Sequence, residues 1–172
     1  MDERNESEIA KNLTSVERKS DRELVVTRSF DAPARLVFEA WTTPELLKRW
    51  WMPKSFGVSF ISCEADVRTG GKYRFEFGHP SSEQPMAFFG RYIEVIPNAR
   101  LVWTNEEGGE GGSVTTVTFE QRDGETLVTF HDLYPSKEAH DAAIASGATC
   151  GFGESFEQLD ALLEELGGNS VR

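Results

Sequence analysis

Phe152, Phe156, Leu159, Leu163 and Leu166 recur at spacings of three and four near the end of the chain, and Glu154, Glu157, Asp160, Glu164 and Glu165 occupy much of the rest of that stretch. This spacing predicts one long helix with a single apolar stripe, closed by Gly167-Gly168. Such a stripe has to be covered, and what precedes it is mostly strand-like. Tyr73, Phe75 and Phe77 alternate with Lys72, Arg74 and Glu76, so a strand there has one buried and one wet face. Further strands are expected over 24–30, 56–67, 86–96, 101–104, 114–121 and 126–131, the last two joined across Asp123-Gly124.

Two short helices fall between the first strand and the second. Asp31 is expected to cap the first, with Pro33 in its opening turn and Leu36, Val37, Phe38, Ala40 and Trp41 on its apolar face. Thr43 caps the second, which runs through Leu46, Leu47, Trp50 and Trp51 and ends at Pro53. The order is strand, two helices, six strands, long helix. Strands and helices segregated in this way predict an α+β fold with an antiparallel sheet.

The 172 residues suit one domain with tails: a polar, flexible tail over 1–22, the domain over 23–167, and a short tail over 168–172. A formal net charge of -11 disfavours nucleic acid and anionic membrane surfaces as partners. Cys63 and Cys150 lie far apart with no CxxC and no metal-ligand spacing, so two reduced thiols and no metal are expected. The opening MDERNESEIA is unlike a signal peptide, and no apolar run approaches the roughly 20 residues that span a bilayer. A cytoplasmic protein is the expectation.

Short motifs then occur in a fixed order: Thr27-Arg-Ser-Phe-Asp-Ala-Pro33, Val37-Phe-Glu-Ala-Trp41, Thr43-Pro-Glu45, Trp50-Trp-Met-Pro53, Asp66-Val-Arg-Thr-Gly-Gly71, Gly90 through Glu94, and Gly151-Phe-Gly-Glu-Ser155. Over residues 23–166 the chain resembles the bacterial proteins related to the heat-shock-protein ATPase activator, within the helix-grip, START-like superfamily. It departs at Phe152, where the family usually carries Trp, at Thr69, where a second Pro is usual, and at Met52, where Gly is common. The resemblance implies a curved antiparallel sheet wrapped on a long C-terminal helix. Members of the superfamily bind lipids, hormones or polyketides, catalyse cyclisation, or regulate a chaperone.

A sheet curved over one helix leaves a gap that large rings can line or fill. The inward candidates are Trp51, Phe60, Tyr73, Phe75, Phe89, Trp103, Phe130, Phe152 and Phe156, read either as the walls of a ligand cavity or as plain core. Trp50 and Trp51 point about 100° apart, so they cannot share one environment. Val128 and Phe130 form the inward pair of the last strand, which sends His131 outward. His79 and His140 read as surface. Asp66, Glu94 and Asp132 read as solvated strand carboxylates, and Arg28 and Arg68 read either as outward arginines paired with glutamates or as inward ones that orient an acidic ligand or neutralise a buried acid. No nucleophile motif appears, and GGEGG lacks the Lys-Ser/Thr end of a phosphate loop, so no cofactor is implied.

The functional expectation is non-enzymatic binding of a small hydrophobic or aromatic molecule between sheet and helix. One alternative is a protein-interaction module that regulates a chaperone ATPase; another is a cyclase- or dehydratase-type enzyme. Monomer and homodimer are both compatible with the chain.

Overall fold

The computed structural model describes residues 14–106, 112–146 and 151–171, apart from the side chains of 82 and 168–171. Cys150, most of the acidic glycine-rich tip and the first 13 residues lie outside them. In chain order the elements are β1 (Ser15–Arg18), β2 (Glu23–Phe30), α1 (Ala34–Thr42), α2 (Pro44–Trp50), a 3-10 turn at Lys54–Phe56, β3 (Ser59–Ala65), β4 (Lys72–His79), β5 (Ser82–Ile96), β6 (Arg100–Thr104), β7 (Val114–Arg122), β8 (Glu125–Leu133), α3 (Lys137–Ala145) and α4 (Phe152–Val171). Among the described residues the strands form one antiparallel sheet in the order β1-β2-β8-β7-β6-β5-β4-β3. The architecture is α+β, a curved sheet closed on α4.

Alternation fixes which face is which. Tyr73, Phe75 and Phe77 are buried on β4 while Lys72 and Arg74 are exposed. On β2 the inward set is Leu24, Val26, Arg28 and Phe30. Asp123 and Gly124 both take positive φ, as the tight β7–β8 hairpin requires. Curvature comes from the backbone. The pairing register shifts between Phe60 and Ser62, between Phe77 and His79, and between Tyr92 and Glu94, and such irregularities bend a strand. The first part of β5 pairs with β4 and its end pairs with β6. At the crossing, a Cβ on Gly90 would lie 2.0 Å from the Thr104 carbonyl oxygen, so only glycine fits there.

The core lies between the sheet and α4, with α1 and α2 closing one side. Phe156, Leu159, Leu162 and Leu163 of α4 are almost fully buried. Phe156 meets Phe30 edge-on at 5.6 Å, and Trp41 meets Trp50 at 4.7 Å. Aromatic pairs at such separations add to the stabilisation that their burial supplies.

Several local expectations are corrected. Residues 15–18, expected within a tail, pair antiparallel with β2. Asp31 does not cap α1. Pro33 occupies that position without a side-chain bond, and the exposed N–H of Ala34 is taken instead by Gln121 Oε1 of β7 at 2.6 Å. Thr43 sits at the N-cap of α2 but makes no capping bond, leaving Pro44 to set the first turn. Gly167-Gly168 do not stop α4, which continues to Val171, since glycine lowers helix propensity without forbidding the helix. No helix among the described residues is long and apolar enough to cross a membrane.

Candidate functional site

Sheet and helices do not close completely. A cavity of about 790 Å³ remains between the inner face of the sheet, α2 and the start of α4. Seven of the nine candidate rings line it: Trp51, Tyr73, Phe75, Trp103, Phe130, Phe152 and Phe156. Phe60 is half-buried beside it, packed on Phe77 at 4.3 Å and on Phe75 at 6.0 Å, and does not reach the void. Phe89 faces away, with the Arg74 guanidinium 5.4 Å from its ring. The register pairs Phe88 with inward Phe75 and Phe89 with outward Arg74, so Phe88 takes the wall position. Two adjacent phenylalanines left this parity open in the sequence.

Both tandem tryptophans border the cavity and touch Trp41, against the expectation of separate environments, and they differ in burial. Trp50 is buried to 1% exposure and donates its Nε1 hydrogen to the Ala40 carbonyl at 2.9 Å. Trp51 is half-buried, its ring 5.8 Å from Phe75 and 5.7 Å from Trp41. Trp41, which the sequence placed only on a helical apolar face, also lines the cavity and lies within ring contact of Trp50, Trp103, Phe130 and Phe156.

One wall is polar. Asp132 continues the inward parity of Val128 and Phe130, so its expected solvated position is corrected: it is half-buried and borders the cavity. Thr115, its cross-strand partner, donates Oγ1–H to Asp132 Oδ1 and accepts from Asn105 Nδ2 at 2.9 Å. Tyr73 donates its hydroxyl to the Thr104 carbonyl at 2.7 Å and approaches Asn105 Oδ1 at 3.3 Å. Burial pushes the Asp132 carboxyl up to about 6, and the hydrogen bond from Thr115 opposes that rise. Burial likewise raises Tyr92 and Tyr134, which stay neutral phenols at physiological pH. The signal for Asp132 was present in the sequence, since the alternation that sends His131 outward sends Asp132 inward.

The closing sequence motif borders the cavity at Gly151, Phe152 and Ser155. A Cβ on Gly151 would lie 2.8 Å from Pro53 Cγ, so glycine lets the start of α4 approach the turn after α2. Glu154 accepts from the Ser55 backbone N–H at 2.9 Å, and Ser155 Oγ donates to the Trp51 carbonyl at 3.0 Å. Gln158 donates Nε2 hydrogens to the Trp50 and Met52 carbonyls, both at 3.0 Å, and accepts from the Lys54 N–H at 2.9 Å. These bonds satisfy backbone groups at the end of α2 and tie the start of α4 to the segment that carries Trp51.

The remaining candidates lie elsewhere. His131 faces away from the cavity, its Nε2 2.8 Å from Glu23 Oε2. His140 is fully buried, stacked on Tyr134 at 4.4 Å with Nδ1 bonded to the Asp21 carbonyl, which corrects its expected surface position. Arg28 points inward, not outward, and pairs with Asp160 of α4. Arg68 pairs with Asp66, and Glu94 with Arg100, both on the surface.

Residues 31–164 match the family described as Activator of Hsp90 ATPase homolog 1-like protein. No curated protein matches the chain. Among solved structures, a Rhodobacter sphaeroides protein is 25% identical with a TM-score of 0.80, covering 89% of this chain and 99% of its own. A Mycobacterium smegmatis protein is 25% identical with a TM-score of 0.75, covering 90% and 99%. A Chromobacterium violaceum protein is 29% identical with a TM-score of 0.69, covering 83% and 97%.

Proposed function

The chain belongs to the Activator of Hsp90 ATPase homolog 1-like family, and we propose that within it the protein binds a small hydrophobic or aromatic molecule, without turnover, in the cavity between sheet and α4. One observation carries this reading: a void of about 790 Å³ walled by rings drawn from α1, α2, four strands and α4. That volume suits a small-molecule site, and rigid aromatic walls grip a planar guest with little loss of side-chain entropy. The site draws on cytoplasmic small molecules in this reading. A thermal-shift screen of lipids, polyketides and aromatic metabolites tests it. A ligand at 100 times its Kd adds about 2.7 kcal/mol to stability. A screen in which no compound moves the melting temperature removes the reading.

Asp132 favours a second reading, acid–base catalysis of the cyclase or dehydratase kind. Its carboxyl borders the cavity and titrates near neutrality, as a proton-transfer group must. Incubating each compound that binds with the protein, then resolving products by mass spectrometry, separates the two. Recovery of unchanged ligand supports binding alone.

A further inference from the structure

Taking the cavity as a ligand site, we infer that its guest is a cationic amine on an aromatic or flat apolar body, with the ammonium seated against Asp132.

Around Asp132 the polar wall offers acceptors. Thr115 gives its hydroxyl hydrogen to Asp132, and Tyr73 gives its own to the Thr104 carbonyl. Both Asn105 amide hydrogens are also used, on the Ser113 carbonyl at 3.2 Å and on Thr115. A carboxylate accepts about four hydrogen bonds, and the donor named for Asp132, Thr115, leaves most of that capacity. Asp132 is half-buried and borders the void, so the capacity left faces the guest. A group that meets the ionised Asp132 carboxylate has to donate.

Charge points the same way. Among the described residues no Lys, Arg or His lines the cavity, and Asp132 is its one acidic side chain. The other ionisable groups on its walls are Tyr73, Tyr92 and Tyr134. His131, next in the chain, lies on the opposite face and is committed to Glu23. Arg28 shares the inner face of the sheet but is committed to Asp160 and is not part of the lining. The ionised carboxylate therefore meets no counter-charge inside. A guest cation would supply one in a setting of low dielectric, where such a pair is far stronger than in water. A guest carboxylate would add a second buried negative charge. The surrounding rings of Trp41, Trp103 and Phe130 present π surfaces that also attract a cation.

The test uses the full chain and two apolar bodies, indole and biphenyl, each bearing an aminoethyl, a hydroxyethyl or a carboxymethyl arm. Affinities are measured by calorimetry at pH 7.5 for wild type and D132N. Expected is an amine bound about tenfold or more tighter than the matched alcohol, with the acid weakest. In D132N the amine falls to the level of the alcohol while the alcohol stays within about twofold. A second measurement needs no variant. Lowering the pH from 7.5 to 5 protonates the carboxyl while the amine keeps its charge, so amine affinity drops about tenfold and alcohol affinity holds. If alcohols or acids bind wild type as tightly as amines, or if D132N keeps the amine preference, the amine inference is overturned and the cavity reading stands. If neither body binds with any arm, both are overturned.

Discussion

Arg28 reaches from the inner face of β2 to Asp160 on α4, placing Nη2 3.3 Å from Oδ2, and its guanidinium carbon lies 5.0 Å from the Phe30 ring centre. Arg28 is 4% exposed and Asp160 43%, so the pair joins the sheet to the helix at the boundary of the core. Among the described residues, Nε and Nη1 of this guanidinium have no hydrogen-bond partner. The arginine is thus largely desolvated and leans on one carboxylate.

Removing that carboxylate should cost more than removing the arginine. Asp160→Ala strands a buried cation, but water partly screens the pair, so the expected loss is about 2 kcal/mol. Arg28→Met removes the charge and keeps an apolar chain of similar length, and is expected within about 1 kcal/mol of wild type. Urea unfolding of both variants checks the order, and equal losses would contradict it.

Asp132 makes stability depend on pH in the direction opposite to most acids. Its folded carboxyl is raised to about 6 from an ordinary 3.8. The contribution is full below pH 3.8 and is lost as pH rises through 6, because the unfolded chain releases the proton first. The whole swing is on the order of 3 kcal/mol. Asp132→Asn keeps an acceptor for Thr115 and does not ionise. It should therefore gain on wild type between pH 4 and 7 and level off above that, as read from the difference between paired urea melts.

Gly90→Ala forces a methyl group into the Thr104 carbonyl and is expected to cost about 3 kcal/mol or more. Gly153→Ala is the control. Nothing lies within 4 Å of a Cβ built there, and the position is helical. That change is expected to raise stability by about 0.5 kcal/mol through helix propensity. Melting temperatures that move in opposite directions are the outcome sought.

Cys63 is a free, half-buried thiol, and burial pushes it up to about 11. The thiolate is the reacting form, so alkylation by iodoacetamide at pH 8 should run at least tenfold slower in the folded protein than in urea. Site-resolved mass spectrometry follows that residue alone.

Fold order was readable because it rests on periodicity. The strict alternation of Lys72–Phe77 and the three-four spacing of α4 both return as burial patterns. Local chemistry was harder. The cap of α1 comes from Gln121, 87 residues away, and no sequence window contains both partners. His140 looked polar and exposed because its neighbours Lys137, Glu138 and Asp141 are charged, while its own burial depends on Tyr134 and the Asp21 carbonyl. Phe88 and Phe89 were interchangeable until the register with β4 fixed their sides. The orientation of Arg28 stayed open because charge argues for water, whereas Asp160 pays for its inward position from another element.

The bend of β5 belongs to its main chain: a 15-residue strand shared between two neighbours, with Gly90 pressed against Thr104 at the hand-over. Trimming Phe75 or Trp103 would therefore deepen the chamber without flattening its shell, and one scaffold could be refitted for guests of different girth by exchanging furniture alone.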